Sequence, residues 1–236
     1  MTDKVDILKK IKTKGYWRIV VYPLTVKKDR IPTLDKCKEM IGNAVVSLRG
    51  WPYPYYNNES LRFQDYIQLE VDFEPHIELW RFYLSGLFVH YVSLNEDWMD
   101  YQSLSKQDSR FQRIKQGDIL GLDLMVYDIT EIFEFISRLS RQELYVDGLK
   151  VEMQLNNITN RELFIFDFKR VGFHMPYKTS APKLIYSKEI SEENALKNPQ
   201  QNALEAILFF TDRFGWKNPN VISIQDMQQN LLQRRL

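Results

Sequence analysis

Apolar residues along this chain recur at two periods, and the switching between them lays out the expected elements. Residues 4–14 place Val5, Leu8 and Ile11 on one face with lysines around them, a short helix that Gly15 stops. Residues 16–22 (YWRIVVY) are rich in β-branched and aromatic side chains and read as a buried strand ended by Pro23. Thr33 is placed to cap a second helix, whose apolar stripe is Leu34, Cys37, Ile41, Ala44, Val45 and Leu48. Over residues 62–74 the period falls to two. Phe63, Ile67, Leu69, Val71 and Phe73 face one way, and Gln64, Tyr66, Gln68, Glu70 and Asp72 the other, as in a strand with one solvated face.

Residues 77–94 predict a hairpin turning at Ser85-Gly86, with Leu84 against Leu87, Phe82 against Val89 and Trp80 against Tyr91. That register sets Tyr83 opposite Phe88 and Arg81 opposite His90. Both faces are largely apolar, so the hairpin is expected at the centre of the fold and covered on both sides.

Residues 95–118 are polar and predict a loop with a helical turn; residues 121–127 predict another strand. Asp128 is read as the cap of a helix, with Glu131 completing a capping box and Ile129, Ile132, Phe133, Ile136 and Leu139 as its stripe. Residues 150–155 and 161–168 predict a second hairpin, and residues 169–197, with Pro176 and Pro182, are the least regular stretch. Asn198 and Pro199 then open a helix that Gly215 follows, and residues 223–236 form a last amphipathic helix. The expected fold class is α+β: a mainly antiparallel, aromatic-rich sheet of five to seven strands packed by helices. One domain spans residues 1–236, with an α/β core over 1–168 and an irregular segment plus two helices over 169–236.

Composition sharpens this outline. Hydrophobic residues at 44% supply a large core, and 27% charged residues without low-complexity tracts exclude a disordered or fibrous chain. No apolar run is long enough to span a bilayer, and the amino terminus lacks the apolar centre of a secretory signal. Cys37, the single cysteine, cannot form an internal disulfide, which favours a reducing, cytoplasmic setting without membrane contact; its place on the helical stripe makes it a core residue. Charge is uneven. Residues 1–49 hold twelve Lys and Arg against five Asp and Glu, whereas residues 59–101 hold nine acids against two bases. The two segments either attract one another inside the fold, or the first forms a contact surface for nucleic acid or an acidic protein.

Phosphate-binding glycine loops, zinc-spaced Cys/His sets, H-E-x-x-H and G-x-S-x-G are all missing from the sequence. The one enzyme-like pattern is LFIFDFK, where Asp167 and Lys169 share a strand face downstream of Asp147 and Glu152. It resembles the D…(D/E)-x-K pattern of restriction-endonuclease-like nucleases, in which carboxylates hold Mg or Mn and the lysine positions the attacking water. The alternative is an exposed Asp and Lys at a strand end, with no cofactor. Two sets of candidate binding residues stand beside it. Arg81 and His90, with Tyr83 and nearby Glu78, form either a patch for an anionic ligand or an internally satisfied network. Arg49, Trp51, Tyr53 and Tyr55 in RGWPYPYY form either a stacking or interface loop, or a proline-braced loop folded back on the sheet.

The segments RGWPYP and ELWRFYLSG, followed by LNEDW and ITEIFEF, resemble uncharacterised bacterial proteins, some encoded near phage-defence genes. The resemblance covers about the first 140 residues. It implies a bacterial, cytoplasmic setting with a defence context, and no activity or catalytic residue. The functional expectation is a non-enzymatic accessory subunit that contacts a protein partner. A nucleic-acid-binding module and the metal-dependent nuclease are the alternatives.

Overall fold

The strands in chain order are β1 (Tyr16–Pro23), β2 (Leu61–Arg62), β3 (Tyr66–Phe73), β4 (His76–Tyr83), β5 (Phe88–Ser93), β6 (Ile119–Gly121), β7 (Leu149–Asn156), β8 (Glu162–Phe164) and β9 (Lys183–Ile190). The helices are α1 (Ile7–Lys12), α2 (Leu34–Ala44), α3 (Tyr101–Gln107), α4 (Leu122–Ser140), α5 (Glu192–Lys197), α6 (Pro199–Arg213) and α7 (Val221–Leu232). This computed structural model describes residues 6–57 and 59–235. Val5, assigned to the first helix from its spacing, lies outside them.

Seven strands make one antiparallel sheet in the order β2-β3-β4-β5-β1-β7-β9, while β6 and β8 pair in parallel as a separate ribbon. The fold is α+β, with helices packed on the sheet. Trp17, Ile19 and Val21 of β1, Trp80 and Phe82 of β4 and Met153 of β7 face the main core, where α4 supplies Met125, Ile129, Phe133 and Ile136. Helices α2, α5, α6 and α7 all lean on α4, the central helix. Burying about 25 cal/mol per Å² of apolar surface makes this face the main source of stability. On the other face, α1 covers Ile77 and Leu79 through Ile7 and Ile11, with Tyr16 and Tyr91 packed beside them. Among the described residues no helix is long and apolar enough to cross a membrane.

Several local signals act as their chemistry requires. The Thr33 side chain accepts from Lys36 N at 3.1 Å and caps α2. Cys37 is fully buried, and burial pushes its thiol up to about 12, so it is an inert core residue. Lys10 of the basic segment reaches the acidic one at the surface, its Nζ donating to Asp72 at 2.6 Å and to Glu74 at 2.9 Å; a second surface pair, Arg62 with Asp35, joins the segments with the charges reversed.

Elsewhere the structure corrects the sequence reading. Of residues 121–127 only Gly121 is in a strand, at the end of β6; α4 starts at Leu122, because Leu122, Met125 and Val126 continue the helical stripe backwards. Asp128 and Glu131 therefore lie within the helix rather than at its cap. The hairpin of residues 150–155 with 161–168 does not form. β7 pairs with β1 and with β9, a strand inside the supposedly irregular tail, and 162–164 pairs with β6. Alternation of Leu184, Tyr186 and Ile190 with exposed residues was the missed signal. Phe63 and Phe73 are largely exposed, since β3 begins only at Tyr66 and its last two residues are exposed.

The β4–β5 hairpin forms with its register displaced by one residue. Tyr83 N donates to Leu87 O and Gly86 N to Tyr83 O, both at 2.9 Å, so the turn is Leu84-Ser85-Gly86. Gly86 adopts φ +84°, a left-handed conformation open to glycine, and this adds the extra residue to the loop. The pairs become Phe82 with Phe88, Arg81 with Val89 and Trp80 with His90. A one-residue slip reverses which side chains share a face.

Candidate functional site

That slip assembles the site. His90 now points with Trp80 towards the α4 side of the sheet, beside Glu78, two residues along β4. Arg81 points the opposite way, where its Nε donates to Gln68 at 2.6 Å and its guanidinium lies over the Tyr66 ring. The expected patch combining Arg81 with His90 is therefore not formed, because alternate residues of a strand occupy opposite faces.

The proline-rich loop folds back onto this region. Val46 and Tyr53 bond each other through both backbone groups, at 2.8 and 2.7 Å, which closes the segment between them into a tight turn carrying Arg49 and Trp51. Arg138 of α4 donates to Val45 O and holds the start of the loop. Glu78 pins the rest: it accepts from Trp51 Nε1 at 2.8 Å, Tyr55 N at 3.2 Å and His90 Nε2 at 2.9 Å. Trp80 Nε1 adds a bond to Tyr55 O at 2.7 Å. With Nε2 donating to the carboxylate, His90 Nδ1 is the acceptor for the Tyr53 hydroxyl at 3.2 Å. Burial raises the Tyr53 phenol well above its ordinary pKa, with the Glu78 charge adding to the effect, so it stays a neutral donor.

Beneath the loop is a cavity of about 260 Å³. Arg49, Trp51 and Tyr53 come from the loop, His76 and Glu78 from β4, His90 and Ser93 from β5, Asn95 from the turn after it, and Asp128 and Glu131 from α4. Arg49 bridges the two helix carboxylates: Nη2 reaches Asp128 and Glu131 Oε2, the latter at 2.8 Å, and Nε also donates to Oε2 at 3.1 Å. Glu131 is only 1% exposed. Burial pushes its carboxyl up to about 7 against the opposing pull of the Arg49 guanidinium. Its second oxygen, Oε1, is buried without a hydrogen-bond partner, and so is Ser93 Oγ. The wall beside them is aromatic. Trp51 stacks on His76 with centroids 4.3 Å apart and planes 8° apart, and on Tyr55 at 4.7 Å. Burial lowers the His76 pKa, which favours the neutral ring.

Four of the binding residues expected from sequence, Arg49, Trp51, Tyr53 and His90, thus line one cavity, and Tyr55 buttresses it. The aromatics of 51–56 are half-buried or buried on the sheet, so they are not displayed as a platform for stacking bases. Asp128, Glu131, His76, Ser93 and Asn95 were missed as site residues. The available signal was the i, i+3 spacing of Asp128 and Glu131, which puts both on one side of a helix.

The nuclease-like residues are dispersed. Asp147 pairs with Arg30 at 3.5 Å, and Glu152 with Arg18 at 3.1 Å on the face of the sheet away from α4. Asp167 lies in the segment after β8, paired with Arg170 at 3.2 Å and accepting from the backbone N of Lys169 at 2.9 Å. Asp167 and Lys169 do not share a strand face, because residues 167–169 are not in a strand. Among the described residues no group of three or more His, Cys, Asp and Glu is placed to hold a metal ion.

Comparison with protein families, characterised proteins and solved structures finds no match, so neither an activity nor the bacterial defence setting implied by the sequence resemblance gains support from relatives.

Proposed function

We propose that the protein is a non-enzymatic ligand-binding module whose recognition site is the cavity under the 49–55 loop. One observation carries this reading: Glu131, a residue 1% exposed, lines the cavity, and its Oε1 is buried with no hydrogen-bond partner. Leaving such a group unsatisfied costs about 1–3 kcal/mol, a cost that a ligand donor would remove. The surrounding residues are already engaged with one another, which suits a preorganised binding site better than one with a free nucleophile. A thermal-shift survey of small polar fragments tests it, comparing the native chain with Ser93→Met, which fills the cavity. Fragments that stabilise the native chain but not the variant support the reading. Equal responses in both, or none, overturn it.

A second reading keeps the protein-partner expectation, and a separate surface favours it. Phe168, Val171, Met175 and Ile222 are more than half exposed. Val171 also borders a groove of about 460 Å³ with Phe173, Tyr177 and Trp216 along it. An exposed apolar residue at the rim of an aromatic groove is a common mark of a protein contact. Cross-linking of the native chain in its host, compared with Val171→Glu, tests this reading; identical products from both would remove it.

A further inference from the structure

Three carboxylates, Glu78, Asp128 and Glu131, border the cavity against one guanidinium, Arg49. Glu78 is committed to its three donors. Asp128 and Glu131 share Arg49, and the sharing leaves Glu131 Oε1 buried and unpartnered, with Ser93 Oγ, in a residue 3% exposed, in the same condition. A carboxylate oxygen asks for an N–H or O–H donor, while a serine hydroxyl can donate or accept. The volume of about 260 Å³ lies below that of pockets holding drug-sized molecules, so the occupant is small. From these residues we infer that the cavity takes a compact organic cation bearing N–H donors (an amidinium, guanidinium or primary ammonium group) docked on Glu131 and Ser93.

This inference rests on the cavity being a ligand site and adds the ligand's chemical class. A bound cation also meets Arg49; the carboxylate excess sets the sign of the local field. A simple carboxylate such as benzoate would bring no donor to Oε1. The titratable groups around Glu131 are Arg49, Asp128 and Glu78 and, further round the cavity, His76, His90 and Tyr53. Since burial holds the Glu131 carboxyl at about 7, an arriving cation favours its ionised form and expels a proton near neutral pH.

The test is calorimetric titration of the full chain near pH 7 with benzamidine, benzamide and benzoate, in two buffers of different ionisation enthalpy. Benzamidine is expected to bind at least tenfold more tightly than benzamide and to release protons, with no saturable benzoate binding. Glu131→Gln should weaken benzamidine tenfold or more. Asp128→Asn, at a less buried position, should weaken it too and keeps the test valid if the Glu131 variant fails to fold. If benzamide or benzoate binds as tightly as benzamidine and Ser93→Met abolishes that binding, the cavity stands as a ligand site and the cation class falls. Benzamidine affinity unchanged in Ser93→Met, Glu131→Gln and Asp128→Asn would place binding elsewhere and overturn the inference. Failure of all three probes would also overturn it, leaving the fragment survey to decide the cavity.

Discussion

Glu78 and His90 lie on neighbouring strands with His90 Nε2 donating to Glu78 Oε2 over 2.9 Å, both side chains almost fully buried. The same carboxylate accepts from Trp51 Nε1 and Tyr55 N, so one acid joins two strands to the proline-rich loop. Replacing Glu78 with Ala leaves three donors without their acceptor. The expected cost is about 3–5 kcal/mol, the range for removing one partner from a buried ionic network. Urea unfolding of Glu78→Ala against the native chain measures it, and a loss under about 1 kcal/mol would show that the loop is held by other contacts.

Arg49→Lys should be disruptive despite keeping the charge. The guanidinium fork reaches Asp128 and Glu131 together, whereas an ammonium is a single point of contact that cannot reproduce that geometry. The expected loss is about 1–3 kcal/mol. Asp128→Asn in the Arg49→Lys background tests the coupling: the two changes should add up to less than their separate costs if they break one network.

The pH dependence of stability should be set partly by Glu131. Its carboxyl rises from an ordinary 4.5 to about 7, so between those values the folded chain holds a proton that the unfolded chain has released. Its contribution to stability is complete below about 4.5 and is lost as pH rises through about 7. Glu96, also buried and pushed up to about 8, acts in the same direction. Urea unfolding at pH 5.5, 7 and 8.5 should show stability falling by roughly 1–3 kcal/mol per carboxyl, and Glu131→Gln should make that fall shallower. A stability that climbs over this range would contradict the assignment.

Glu152→Gln should be nearly silent. Its ion pair with Arg18 is about a third exposed at both ends, where such pairs contribute roughly 0–1 kcal/mol. Asp167→Asn should likewise leave Mg and Mn titrations unchanged. A saturable metal response that vanishes in Asp167→Asn would restore the nuclease reading.

What the sequence alone determined was local. The Thr33 cap, the burial of Cys37, the Asn198-Pro199 opening of α6 and the aromatic strands of the central sheet follow from side-chain chemistry within a few residues. The α+β class follows as well, because period-two and helical stretches alternate along the chain. The binding residues were also partly legible: Arg49, Trp51, Tyr53 and Tyr55 stand together in the sequence. Long-range pairing settled the remainder. Gly86 added one residue to a turn and so moved His90 to the face of Glu78 and away from Arg81. β9, far along the chain, took the place beside β7 that residues 161–168 were expected to fill. Asp128 and Glu131 became partners of Arg49 only because α4 begins six residues before the cap read from sequence and lies under the loop. Register and strand order rest on which distant surfaces bury each other best, and no local pattern contains that comparison.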